Sequence, residues 1–378
     1  METLLNDKNV QVRLDALKNL VEKTPAPENG GHVNNHIHTT YSFSPYSPTK
    51  AIWMARQSGL TTAGIMDHDS VGGCREFIEA GKIAGLATTI GVECRCDFSN
   101  TKIGDRRINN PDQDSIAYVT IHAIPHKNID KVAAFFAPYT EKRNIRNRKM
   151  IEKINALMPV QIDFEKDVVP LSNYHEGGSI TERHILFALA LKLLAHTEDV
   201  VGLLESLGTV ISDKARAQLS DTENPHKAYD LLGVLKSSLI EKIYIDATDE
   251  CPDVREVVAL AKSVDAIICY AYLGDVGDSV TGDKKTQKFE DDYLPQLFET
   301  ISALGFDGVT YMPSRNTMEQ LMRLKDFCTQ YKLMEVSGED INSPRQSFVC
   351  KALENPIFAN LIDSTWELIR HENSFEEM

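Results

Sequence analysis

The sequence predicts an α/β protein in which parallel βα units close into a barrel and a helical segment is inserted partway along the chain. Three observations carry this. Strand-like and helix-like segments alternate in two separate stretches. A stretch with only helical patterning lies between them. Residue types that bind metals or move protons recur at the ends of the strand-like segments, where a parallel barrel gathers its functional groups.

The elements follow in order. Residues 1–24 place Val10, Leu14, Leu17, Leu20 and Val21 at helical spacing, and a Pro/Gly-rich link at 24–31 follows. Strands are predicted at 33–38, 61–66, 88–93 and 117–123, with helices at 49–58 and 73–84 between them. From 128 to 241 the pattern is helical with charged faces, at 142–157, 181–196, 200–207 and 227–239. Alternation resumes with strands at 243–247, 266–271, 308–311 and 333–336 and helices at 254–264 and 317–331; a closing helix is expected at 355–369. The implied division is an N-terminal helix and linker (1–31), a first barrel part (32–127), the inserted helices (128–241), a second barrel part (242–346) and a C-terminal helix (347–378).

Composition narrows the function classes. With 40 Lys and Arg against 55 Asp and Glu, the net charge of −15 opposes binding to duplex nucleic acid, which needs a basic face. A small anionic substrate needs only a few local cations. No apolar run reaches membrane-spanning length and no signal pattern opens the chain, so a cytoplasmic protein is expected. The seven scattered Cys read as reduced thiols. Cys94 and Cys96 form a C-x-C without a second pair, which argues against a closed thiolate zinc site.

His36 and His38 are two apart on a predicted strand, so both imidazoles point to one side and can share an ion. Alone they are equally two polar strand residues. Asp67-His68-Asp69 at the next strand end and Glu93 at the third add carboxylates and another imidazole; His122 and Asp340 close two later strands. Asp69 with Ser70 can also simply cap the following helix. Together the groups predict metal-assisted hydrolysis.

The run from HIHTTYSFSPYSPTKA through GIMDHDSVGG to TIGVE resembles the PHP (polymerase and histidinol phosphatase) domain family, more weakly continued by YVTIHAIPH, AIICYAYLGD and LMEVSGEDIN. The resemblance implies a distorted (β/α)7 barrel and a metal-dependent phosphoesterase of the small-molecule branch. It would hydrolyse a phosphorylated metabolite or nucleotide with a metal-activated water. Carried over by position, one ion is held by His36, His38, Glu93 and Asp340, with Glu93 bridging to a second at His122. The partner of His122 falls on Tyr272. A third ion would use His68, but its other positions fall on Phe43 and Asn342. Phe43 has no donor atom, and Asn342 offers one neutral oxygen. The expectation is one or two divalent ions (Mn, Zn or Fe). Asp340, His68 and Asp67 are the expected catalytic groups, and Arg183, His184, Arg315 and Arg345 the expected substrate contacts. Arg146 and Arg148, in the basic run from Arg143, read as a solvated helix face, and His126 as a surface residue. The altered positions also leave room for hydrolysis of a C–N or ester bond, or for a non-catalytic ligand-binding descendant.

Overall fold

The computed structural model describes residues 1–25, 27–28, 30–276 and 287–375; parts of the predicted link, of the second barrel part and of the C-terminal region lie outside these. The chain runs α1 (Val10–Lys23), β1 (His32–Ile37), α2 (Pro48–Gln57), β2 (Leu60–His68), α3 (Cys74–Ala84), β3 (Ala87–Asp97) and β4 (Ile116–His122). Helices follow: α4 (Ile129–Leu157), α5 (Glu182–His196), α6 (Val200–Ser206), α7 (Asp213–Ser220), α8 (Lys227–Ile243) and α9 (Val254–Ser263). The remainder is β5 (Ile267–Ala271), α10 (Leu294–Leu304), β6 (Gly308–Tyr311), α11 (Met318–Tyr331), β7 (Met334–Ser337) and α12 (Ala359–Asn373).

Local chemistry sets the helix starts. The Asn9 side chain accepts the amides of Gln11 and Val12 ahead of α1, and Ser47 accepts that of Lys50 ahead of α2, whose Pro48 sits in the first turn where no amide is needed. The strands are buried along most of their length, as expected of a sheet covered by helices.

The seven strands form one curled sheet in chain order. β1, β2 and β3 are parallel, as are β5, β6 and β7, but β4 is antiparallel to both neighbours. The sheet's two edges meet through a parallel bridge between Ile37 and Ile341. The all-parallel expectation therefore holds for the two halves and fails at β4. β3 is responsible: it runs past Glu93 to Asp97, and the extension pairs with β4 by reversed register, Asp97 opposite Ile116.

The strand expected at 243–247 is absent. α8 continues through Ile243, and the following segment spends its carbonyls on side chains: Ile245 O accepts Arg146 and Ala247 O accepts Gln113. α4 is also longer than expected, since it runs through Pro138. The main core lies between the sheet and its covering helices. A second core is built from side chains between Met150 and Ile243, with Phe43 as its single contribution from the first part of the chain. Among the described residues, no helix is long and apolar enough to cross a membrane.

Candidate metal centre

The centre forms where the sheet closes. The His38 amide donates to Ile341 O at 2.9 Å and the Ile341 amide to His36 O at 3.1 Å, so the His-Ile-His segment and the Asp340 turn are fixed to each other by backbone. Only glycine fits the approach at 338, because a Cβ there would lie 2.6 Å from His36 Cβ and 2.7 Å from its amide nitrogen.

Three imidazoles converge on Glu93. Its Oε2 lies 3.5 Å from His36 Nε2, 3.7 Å from His38 Nε2 and 3.0 Å from His68 Nδ1. Asp340 Oδ1 approaches His38 Nε2 at 3.2 Å from the other side. The His36 and His38 ring centres are 5.0 Å apart, and those of His38 and His68 4.5 Å. One donor atom each from His36, His38 and Glu93 falls within a 4.8 Å span.

The electrostatics favour charged acids beside the rings. Burial works against the charged forms of Glu93 and Asp340, but the histidines outweigh it and hold both carboxyls well below the usual range. Burial likewise opposes a charged His36, yet Glu93 and Asp340 raise it. Burial and the neighbouring His68 lower His38. His122 is pushed down to about 3 by burial.

These groups fit a divalent cation on the evidence of their unfilled valences. His38 Nε2 and both ring nitrogens of His122 are buried and make no hydrogen bond of acceptable geometry. A buried imidazole without a partner costs about 1–3 kcal/mol, and ion binding removes that cost. Two or three imidazoles with two carboxylates are the donor set that Zn, Mn or Fe accepts.

Other expected site residues take different places. Asp67 is buried and accepts three hydrogen bonds from Thr39 and Ser42, so it faces the loop after β1. β4's reversal puts His122 opposite Gly91, below the level of Glu93. Tyr272 donates its hydroxyl to Asp291 at 2.6 Å, and burial with that carboxylate raises its pKa far above ordinary phenol values. Asn342 donates its amide to Asp340 Oδ1 at 2.7 Å and so orients that carboxylate. Phe43, at φ +111°, packs its ring 5.1 Å from His184.

Of the four expected substrate contacts, Arg345 is held by Asp230 at 2.6 and 2.7 Å. Arg315 donates to Leu273 O at 3.2 Å. His184 spends Nδ1 on the Thr181 amide that caps α5 and is otherwise enclosed. Arg183 lines a cavity of about 60 Å³ that opens beside His68, together with Tyr118 and Lys236. No ion pair of Arg183 or Lys236 is present among the described residues. Repulsion from Arg183 first, and burial second, lower the Lys236 pKa to about 8.

Several contributors escaped sequence reasoning. Arg95, two residues past Glu93, pairs with Glu250 at 2.7 Å and lies 3.6 Å from Glu182. Arg146 is buried and bound to both acids, which corrects the expectation of a solvated face; Arg148 does lie at the surface, paired with Glu165. Arg143 binds Asp69. The clue for Arg95 was its i, i+2 spacing from Glu93. Lys236 and Glu250 had no local signal. His126 pairs with buried Glu372 at 2.7 Å, and all seven Cys are free and buried, Cys94 and Cys96 with sulfurs 3.7 Å apart.

No protein-family profile matches the chain, and no curated protein matches its sequence. Solved structures do share the fold. A protein from Bifidobacterium adolescentis provisionally named a metal-dependent phosphoesterase superposes with a TM-score of 0.56 at 21% identity, over 89% of this chain and 98% of its own. An amidohydrolase from Chromobacterium violaceum, solved with bound sulfate and no metal, superposes with a TM-score of 0.56 at 16% identity, over 87% and 96%.

Proposed function

We propose that the chain is a metal-dependent phosphoesterase of the PHP type, acting on a small phosphorylated metabolite or nucleotide. The observation that carries this is the placement of the His36, His38, Glu93 and Asp340 donors, with an orphaned His38 ring nitrogen, beside a cavity that presents two cations, Arg183 and Lys236, without an ion pair among the described residues. Hydrolysis needs the first and an anionic substrate the second. The shared fold supports the reading: one neighbour is named a phosphoesterase, and the other binds sulfate, an anion of phosphate's shape.

His36, His38, Glu93 and Asp340 would hold the ion, with His122 below them as donor to a second. A bound divalent ion supplies Lewis acidity and brings the pKa of water towards ~7. The chain's own residues do the rest. Asn342 fixes Asp340 through the 2.7 Å bond to Oδ1, the same oxygen that faces His38 Nε2. The histidines hold Asp340 as a carboxylate, so in this reading it serves as a ligand rather than as the base. His68, partly open to the cavity and 3.0 Å from Glu93, is the group placed to hand a proton to a leaving oxygen. Arg183 and Lys236 bind and orient the substrate's anionic group.

The test is phosphate release from a panel of monoesters and diesters with Mn, Fe or Zn, with His38→Ala as control. Metal-dependent release that the substitution abolishes is expected; no release with any metal sinks the proposal. A second reading, hydrolysis of a C–N bond, is favoured by the name of the Chromobacterium neighbour. An amide panel run in parallel separates the two.

A further inference from the structure

Asp67, the penultimate residue of β2, has 1% of its surface exposed and no cationic side chain in ion-pair contact among the described residues. Its oxygens are filled by neutral donors from the loop after β1. The Thr39 amide and the Ser42 hydroxyl both reach Oδ1 at 2.6 Å, and the Thr39 hydroxyl reaches Oδ2 at 2.5 Å. Ser42 also touches the metal cluster, since its Oγ lies 3.2 Å from His38 Nδ1.

The proton inventory decides how that last contact works. Ser42 has one hydroxyl hydrogen, and Asp67 Oδ1, which already accepts an amide, takes it. The serine oxygen therefore meets His38 with lone pairs only, so the hydrogen between them belongs to Nδ1. A neutral imidazole protonated on Nδ1 leaves its Nε2 lone pair free. In this fold Nε2 is the nitrogen that faces Glu93 and Asp340.

We propose that Asp67 and Ser42 are positioning residues, a hydrogen-bonded relay that holds the His38 ring in its Nδ1–H form and aims Nε2 at the ligand cluster. The relay rests on the metal-site reading above and gives Asp67 a task other than proton donation. Ligating histidines in general depend on such outer partners for tautomer and orientation. Here the carboxylate acts through an interposed hydroxyl. The loop is pinned independently of that hydroxyl, by the Ser42 amide on Thr39 O at 3.1 Å and the Thr181 hydroxyl on Ser42 O at 3.3 Å. Removing the hydroxyl alone thus tests the relay without dismantling the loop.

The experiment uses the full chain as parent, Ser42→Ala and Ser42→Thr. Imidazole nitrogen shifts of the metal-free proteins report the His38 tautomer, and calorimetric titration with zinc or manganese reports affinity. The parent is expected to show His38 as Nδ1–H. Ser42→Ala is expected to populate both tautomers and bind metal roughly 10–100-fold more weakly, while Ser42→Thr recovers most of the loss. Unfolding midpoints should stay close together. A Ser42→Ala protein that keeps the Nδ1–H form, or binds metal as tightly as the parent, overturns the relay. If the parent binds no metal the site reading falls, and the tautomer measurement still decides the relay.

Discussion

Glu93 and Arg95 sit two residues apart on the same face of β3, yet they belong to two buried charge clusters of opposite character. Around Glu93 the charges are incomplete: carboxylates crowd imidazoles, and His38 Nε2 and the His122 ring nitrogens lack hydrogen bonds. Around Arg95 they are matched, since Arg95 and Arg146 share Glu182 and Glu250, and Arg143 binds Asp69. Burying a charge is tolerable only when something compensates it. The second cluster supplies its own compensation and ties α4 and α5 to the sheet. The first presents donor atoms of His36, His38 and Glu93 close enough together to share one cation.

The strongest way to break this contrast is to remove Glu93, the acid shared by three imidazoles. Glu93→Ala is expected to abolish stoichiometric metal content in elemental analysis and to lower activity by at least ~100-fold, the upper end of what outer partners alone cost. Retained metal would show that the cluster is not the site. The matching change in the other cluster, Arg146→Met, should leave metal content intact but leave Glu182 and Glu250 with Arg95 as their main partner, destabilising the fold by about 1–3 kcal/mol in urea titration. Loss of metal with little loss of stability would reverse the assignment.

Acid sharpens the comparison further. His122 and His184 are held neutral to about 3 by burial. Their unfolded forms protonate below ~6.5. The unfolded chain therefore binds more protons between those values, and the metal-free protein loses up to about 1.4 kcal/mol per pH unit per group as pH falls through that window. Glu93 and Asp340, whose pKa values are depressed, contribute stability above their ordinary carboxylate range and lose it at still lower pH. His36 acts oppositely: its raised pKa contributes below ~6.5 and fades as pH rises through the folded value. Chemical unfolding at stepped pH should show the acid loss, and His184→Gln should reduce its slope; an unchanged slope contradicts the assignment of that loss to His184. The smallest effect is expected at Tyr272→Phe, which removes the donor to Asp291 at a cost of about 1 kcal/mol while leaving metal content unchanged. A drop in bound metal would make Tyr272 a ligand.

Much of the fold was legible because periodicity reports burial. The alternation predicted all seven strands and most of the helices between them, though not α10; the extra strand at 243–247 failed because an apolar run at a helix end looks the same as a short strand. β4's direction was not legible, since a strand's pattern does not encode which neighbour it pairs with or how. At the site, the H-x-H spacing, Glu93 and Asp340 could be read from strand ends, whereas Arg146 was misread because a helix carries the same basic run whether it faces water or a buried acid.

What the sequence determined by itself was the kind of chemistry. Imidazoles and carboxylates placed at strand ends limit a chain to a few tasks, and that limit is set by residue type and spacing. The tertiary structure alone decided which of them meet. It brought Asp340 to His38 through the bridge between Ile37 and Ile341, lowered His122 by reversing β4, turned Tyr272 towards Asp291, and set Ser42 between Asp67 and His38. Each of these depends on contacts between residues far apart in the chain, whose geometry is fixed by packing and strand direction rather than by any local pattern.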